Sequence, residues 1–210
     1  MNANILYHFT LLRHGESVGN AERRFQGQAD FPLTDLGQAQ ARRLAKKWHA
    51  DGTTFDRVIS SPLLRARQTA EIICNQLKIP IDFDPDLMEV DNGIIAGLNS
   101  EEASGVMTPP ALFNNYTHYG KSGESRWELY LRAGRVVQKL VDSPPGKTLV
   151  VSHGGILNMV VCALLGIPLM ADPSGARFMF GNTGHATFSF DPERRIWRLL
   201  GFDGAGNAPE

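Results

Sequence analysis

The chain has 210 residues, of which 42% are apolar, and its formal net charge is −1. That size supports one core-bearing domain, or one domain with an elaborated lid. The balanced charge leaves no field to draw nucleic acid or an anionic membrane, so an anion has to be held by a local cluster of cations. Cys74 and Cys162 fall in apolar helical patterns and read as reduced thiols of a cytoplasmic protein, with no disulfide framework. No apolar run reaches the ~18 residues of a membrane span. Met1-Asn2-Ala3-Asn4 lacks the basic start of a secretory leader.

In chain order, Ile5 to Leu12 is an apolar run broken only by Tyr7, His8 and Thr10, and it ends in Arg13-His14-Gly15. It predicts a buried strand with a cation and an imidazole at its carboxyl end. In open α/β sheets that edge is where ligands bind, and this pair suits an anion such as phosphate. A strand that simply ends in two surface polar residues fits the same stretch. A polar loop follows to Leu33. Thr34 then caps a helix over Asp35–His49, with Ala41, Leu44, Ala45 and Trp48 inward. Phe55–Ile59 is a short strand. Ser61 is expected to cap the next helix, with Pro62 at its first position and Ala66, Ala70, Ile73 and Leu77 buried. Arg65 lies in the first turn of that helix, where a cation opposes the helix dipole by about a few tenths of a kcal/mol. Such a placement suits an anion site, although an ordinary surface arginine also fits.

Ile79–Phe83 is another strand candidate. Pro85 to Gly123 has no periodicity and reads as an irregular or helical cap, with Phe113, Tyr116, His118 and Tyr119 clustered in it. Ser125 with Glu128 forms a capping-box pattern that opens a helix with Trp127, Leu131, Gly134, Val137 and Val141 along one face. Lys147–Ser152 is a second buried strand, ending in His153-Gly154-Gly155. The helix after it, Ile156–Leu165, is apolar nearly all round. Phe178–Phe180, Ala186–Phe190 and Ile196–Leu200 are short strands, the last two joined by a turn at Asp191-Pro192. Alternating strands and helices predict an α/β fold: a three-layer αβα sandwich around a mostly parallel sheet. A single domain is expected over residues 1–203, with the cap inserted at about 97–122 and a loose tail at 204–210. A parallel sheet gathers Arg13, His14, Arg65 and His153 at one edge.

Leu11-Leu12-Arg13-His14-Gly15-Glu16-Ser17 resembles the signature of the histidine phosphatase superfamily, which includes cofactor-dependent phosphoglycerate mutases. Asn20, then Arg24-Phe25-Gln26-Gly27 through Asp30, and Pro32-Leu33-Thr34 with Gly37, are similar to its phosphate-binding loop and following helix. Ser60-Ser61-Pro62-Leu63-Leu64-Arg65, Leu87-Met88-Glu89-Val90-Asp91, Gly123-Glu124-Ser125 and Val151-Ser152-His153-Gly154-Gly155 continue the series in the family's order. The resemblance implies catalysis by His14, Arg13, Arg65, His153 and Glu89. His14 is the implied nucleophile, its other ring nitrogen donating to the Gly15 carbonyl. Arg13, Arg65 and His153 hold the transferring phosphoryl oxygens. Glu89 protonates the leaving alkoxide and later activates water. Asn20, Gln26, Gly27 and Gly154 are the implied substrate-binding residues. No metal and no cofactor are implied. Asp86, Asp91 and Glu124 are alternatives to Glu89 as the acid, and Glu89 also reads as a salt-bridge partner of the arginines.

The partner implied is a small phosphorylated substrate, with no nucleic acid and no membrane; a homodimer is compatible. Mutases of the family carry Phe-Cys/Ser-Gly-Trp in the first loop and His-Gly-Asn-Ser after the second histidine. Here those places read Phe25-Gln26-Gly27-Gln28 and His153-Gly154-Gly155-Ile156. Mutases also grip a carboxylate with cap arginines, whereas between Val90 and Gly123 this chain has only Lys121 as a cation. These differences and the short length favour a phosphomonoester hydrolase. A phosphoglycerate mutase and a non-catalytic phosphate-binding or docking domain are the alternatives. The phosphatase pattern Gly-x-Trp-Glu-Gly stands here as Gly93-Ile94-Ile95-Ala96-Gly97, which predicts a less polar pocket wall. His8, His49 and His185 read as structural, and His118 as a candidate substrate contact.

Overall fold

The structure, a computed structural model, describes residues 7–107, 114–170 and 175–204. Ile5, Pro109-Pro110, Phe113 and most of the expected tail lie outside the described residues. The strands are β1 (Tyr7–Arg13), β2 (Arg57–Ser60), β3 (Ile81–Phe83), β4 (Gly146–Ser152), β5 (His185–Asp191) and β6 (Ile196–Asp203). They form one sheet in the order β3-β2-β4-β1-β5-β6. β3, β2, β4 and β1 run parallel, while β5 and β6 are antiparallel additions on the far side of β1.

The period-2 alternation of β1 separates two cores. Phe9 and Leu11 face one way, onto α5 (Arg126–Asp142) and α6 (Gly154–Leu164). Leu12 faces the other way, with Leu149 and Val151 of β4, onto α2 (Asp35–Ala50) and α3 (Leu64–Leu77). The chain leaving β1 turns to one face of the sheet and the chain leaving its neighbour β4 turns to the other. This is the topological switch that opens a crevice at the carboxyl ends of an α/β sheet. Residues 14 and 153 stand there because each directly follows one of those two strands. Two further helices are short: α1 (Val18–Ala21) within the first loop and α4 (Ser100–Val106) in the cap. Among the described residues no helix is long and apolar enough to cross a membrane.

Three expectations need correction. Ser61 does not cap α3: the residue preceding the helix is Leu63, with no side-chain cap. The Ser61 amide instead bonds the Val151 carbonyl, which keeps Ser61 beside β4, and Leu64 N donates to Asp30 Oδ1 at 2.6 Å. A distant loop thus supplies the cap. Phe178–Phe180 is not a strand. Its backbone bonds side chains, Phe178 N to Asn158 and Phe180 O to Arg13, rather than a neighbouring strand. On α5 the buried face is Arg126, Leu129, Arg132, Ala133, Val136 and Leu140, while Leu131 is 52% exposed. Apolar periodicity places arginines on the wet side; here two of them turn inward, and Trp127 packs instead beside Tyr116 and Tyr130.

The α5 capping box is present: Ser125 Oγ accepts from Glu128 N, and Glu128 Oε2 accepts from Ser125 N at 2.7 Å. Ser125→Ala is expected to lower the unfolding free energy by about 1 kcal/mol in urea titration. An unchanged midpoint would mean that the box contributes nothing to stability.

Candidate active site

The end of β1 is clamped from both neighbours. Arg13 N donates to Gly184 O and His14 N to Ser152 O, each at 3.0 Å. Gly15 N donates to Thr69 Oγ1 at 3.1 Å, tying the turn to α3. A Cβ on Gly15 would lie 2.5 Å from the Gly37 carbonyl oxygen, so Gly37 belongs to the same close approach. His14 is 2% exposed. Its Nδ1 donates to the Gly15 carbonyl at 2.6 Å, which leaves the lone pair on Nε2. Burial, then the charges of Arg13 and Arg65, hold its pKa well below the usual 6.5.

Arg65, 1% exposed, donates from Nε to His153 Nδ1 at 3.1 Å. Its other nitrogens reach the carbonyls of Ala29 (2.9 Å) and Gly27 (2.7 Å). His153 Nδ1 is therefore an acceptor, and Nε2 donates to Ser61 Oγ at 2.8 Å. This is why Ser61 is placed away from the helix cap. The imidazole rings of His14 and His153 lie 5.1 Å apart. Burial and Arg65 hold His153 well below the usual value as well, so both rings are neutral. Burial lowers Arg65 only to about 10, so it stays charged near neutral pH. Arg13 Nη1 donates to Phe180 O at 2.6 Å. Its Nε is buried and has no partner among the described residues.

Asn20 Oδ1 accepts from Ser17 N and from Asn182 Nδ2, so donors are what its amide NH2 has left to offer. Gln26 Oε1 accepts from Ser17 Oγ at 2.7 Å. The Gly27 carbonyl is spent on Arg65, and Gly154 packs beside the Arg13 side chain.

The Glu89 carboxylate sits on the start of α6. It accepts from Gly155 N, Ile156 N and its neighbour Val90 N, each at 3.0 Å. A Cβ on residue 155 would come within 2.6 Å of Glu89 Oε1. Of the alternative acids, Glu124 is taken by Arg132 (2.6 Å) and Asp86 by Arg135 (3.0 Å) and Lys139 (2.9 Å), while Asp91 Oδ1 accepts from Gly93 N (2.8 Å). Glu89 alone of the four lines the cavity. Arg132, which sequence reading missed, holds this segment by donating to the carbonyls of Asp86 (2.8 Å), Met88 (2.5 Å) and Glu89 (3.1 Å). Its inward position on α5 was the only signal, and an apolar-stripe reading conceals it.

The cavity beside these groups has a volume of about 570 Å³. Arg13, Glu89, Gly154 and Gly155 are among its lining residues, whereas His14, Arg65 and His153 do not line it. Lys121 is not in its lining, but Arg126 and Arg177 are, and both come from outside the stretch between Val90 and Gly123. Tyr119 of the aromatic cluster also lines it. His118 does not: its Nδ1 lies 2.6 Å from the Gly123 carbonyl and 3.6 Å from Glu128.

Two strands that end in Arg-His-Gly and His-Gly-Gly thus share a crevice with a buried arginine and a docked glutamate. The profile of branch 1 of the histidine phosphatase superfamily matches residues 9–203, and the chain belongs to that superfamily. A relative described as probable phosphoglycerate mutase GpmB, from Cronobacter sakazakii, is 40% identical over 169 residues, 77% of this chain and 76% of the relative. A mycobacterial glucosyl-3-phosphoglycerate phosphatase solved with VO3 superposes with a TM-score of 0.79 at 28% identity, covering 95% of this chain and 100% of that one. A phosphoserine phosphatase variant from Entamoeba histolytica, solved with phosphoserine, gives 0.74 at 26% identity over 94% and 96%. The chain is an enzyme of a superfamily whose members include phosphatases and mutases.

The buried neutral imidazoles carry a stability consequence. The unfolded chain takes up protons at His14 and His153 near pH 6.5, and the folded chain does so only well below it. Their contribution is complete above that pH and is lost as pH falls through the window beneath it. Unfolding free energy is expected to fall steadily as pH drops from neutral to mildly acidic, and less steeply in His14→Asn. Equal slopes in the two proteins would show that His14 is not held neutral.

Proposed function

We propose that this enzyme hydrolyses a small phosphomonoester through a covalent phosphohistidine at His14. The observation that carries the reading is the buried Arg13 Nε. It is a cationic donor with no partner among the described residues, one residue from a neutral imidazole whose tautomer leaves Nε2 nucleophilic. A phosphoryl oxygen would satisfy that donor. In the first step the Nε2 lone pair attacks phosphorus and the P–O bond to the alkyl group breaks. Glu89, in its acid form, gives the departing alkoxide its proton. In the second step Glu89 takes a proton from water, whose oxygen attacks phosphorus as the P–N bond breaks, returning inorganic phosphate and free His14. Arg13 and Arg65 offset the charge spread over the phosphoryl oxygens. Asn20 adds a neutral donor; His153, expected to hold a phosphoryl oxygen, has both ring nitrogens engaged by Arg65 and Ser61 and instead keeps the Arg65 guanidinium in place. The reading locates the reaction in the cytoplasm, consistent with the two free, buried cysteines.

Gln26-Gly27-Gln28 and Gly154-Gly155-Ile156 in place of the mutase residues support transfer to water. The Cronobacter relative and the two extra arginines of the cavity favour a second reading, phosphoglycerate mutase. With p-nitrophenyl phosphate, wild type is expected to turn over and His14→Ala to be inactive; wild type matching buffer would remove the enzymatic reading. Glu89→Gln is expected to slow alkyl phosphate hydrolysis by roughly 10²–10⁴-fold, with less effect on good leaving groups. Normal alkyl phosphate turnover in that variant would exclude Glu89 as the acid. Rapid formation of 2-phosphoglycerate from 3-phosphoglycerate primed with 2,3-bisphosphoglycerate would establish the mutase instead.

A further inference from the structure

A second cavity, of about 280 Å³, shares no lining residue with the one at Arg13 and Glu89. It lies on the face of the sheet that α2 covers. On that face β1 presents His8, Thr10 and Leu12, opposite Ser189, Thr187 and His185 of β5. Of these only Leu12 is apolar, and it packs into the core under α2 and α3. A layer between helix and sheet is ordinarily filled by apolar side chains. Here it turns polar where α2 runs out, and Trp48 from the last turns of that helix closes the space with Phe55. The Trp48 ring stands edge-on to His185 at 5.5 Å and to Phe55 at 5.3 Å. His8 and His185 read from the sequence as structural, yet both line this cavity. His185 Nδ1 is buried and has no partner among the described residues. Buried polar atoms are ordinarily paired, so this one is a group that an occupant of the cavity would satisfy.

The polar side chains of the lining all carry donors: two imidazoles, four threonine hydroxyls and the Lys147 ammonium, with no carboxylate among them. Lys147 Nζ donates to Thr54 Oγ1 at 3.3 Å, which leaves it two further N–H groups. Asp56, next to Phe55 in the chain, is outside the lining, and its Oδ2 accepts from Lys147 N at 2.7 Å. We propose that this cavity is a second ligand site, separate from the phosphoryl-transfer crevice, and that it binds a small monocarboxylate built on a single ring or a short carbon frame. One ammonium matches one negative charge. A phosphate dianion is better served by the paired donors of arginine, which this lining lacks. The imidazoles and hydroxyls can meet the other carboxylate oxygen and any hydroxyl of the ligand, while Trp48 and Phe55 supply an apolar wall for its frame. The volume falls just below the roughly 300–1,000 Å³ of drug-sized sites, which limits the occupant to about one ring.

The test is a titration of the full chain at fixed pH with benzoate, 4-hydroxybenzoate and 3-hydroxybutyrate, beside neutral benzamide and cationic benzylamine. Binding is followed by NMR through the histidine ring resonances. At least one carboxylate is expected to bind with a Kd of about a millimolar, about tenfold or more tighter than benzamide, with the amine weakest. The resonances of His8 and His185 are expected to move while those of His14 and His153 stay in place. Lys147→Met and Thr187→Val are each expected to weaken the carboxylate several-fold and benzamide little. Lys147 is exposed, so its replacement leaves the core intact. The proposal is overturned if no carboxylate moves the His8 or His185 resonances up to about 10 mM. Benzamide binding as tightly as the carboxylates would reduce the cavity to an apolar hole, and equal carboxylate affinity in Lys147→Met would remove the charge argument; either result also overturns it. So does movement of His14 and His153 in place of His8 and His185, which would put the anion in the crevice.

Discussion

The guanidinium of Arg65 is buried in the crevice, and three of its donors hold three separate pieces of chain together. One fixes the tautomer of His153, and two gather the carbonyls of Gly27 and Ala29. Burying a cation is costly unless its donors are matched. Here the matching partners come from the end of β4 and from the first polar loop, while the arginine itself rides on α3. The adjacent Asp30 closes the same circuit, because it accepts the Leu64 amide at the start of that helix. The loop after β1 is therefore ordered by the needs of one charge, and its order in turn walls off His14. With two guanidiniums near and water excluded, the imidazole is held neutral, the form in which it has a lone pair to give.

A second chain of support runs through the acid. Arg132 bonds Glu124 and the carbonyls of Asp86, Met88 and Glu89, so the backbone of that segment is set by a buried cation on α5. The carboxylate of Glu89 is then delivered to the amides opening α6, where only a glycine at 155 leaves it room. The Gly154-Gly155 pair after the second histidine thus serves two side chains, Arg13 beside the first glycine and Glu89 over the second. A bulkier residue at 155 would displace the acid from this wall. That offers a structural reason for glycine here, where mutases of the family carry asparagine.

The two arginine circuits order the crevice at His14 and the segment that carries Glu89, and Arg126 and Arg177 line the same cavity as Arg13 and Glu89. α5 contributes two arginines that turn inward, Arg132 toward the acid segment and Arg126 toward the cavity. The Ser125–Glu128 box that starts the helix thereby also sets the rotation that presents them.

Much of this was legible in the chain alone. The apolar runs that end in Arg13-His14-Gly15 and His153-Gly154-Gly155 announce strands and place both histidines at one sheet edge, because a buried strand needs continuous apolar residues and a parallel sheet aligns its carboxyl ends. The Ser125–Glu128 capping box and the α2 and α6 patterns are likewise local, set by spacing within a turn or two of helix. What tertiary structure decided is which polar groups meet. Ser61 looks like a helix cap from its neighbours, yet it bonds His153 because its backbone is held beside β4. Arg126 and Arg132 look like the wet side of a helix, yet they turn inward because a carboxylate, backbone carbonyls and the cavity wall lie across from them. Hydrophobic periodicity records only which face avoids water. It carries no record of a buried charge whose partners lie far along the chain, as those of Arg65 do in the first loop and at the end of β4.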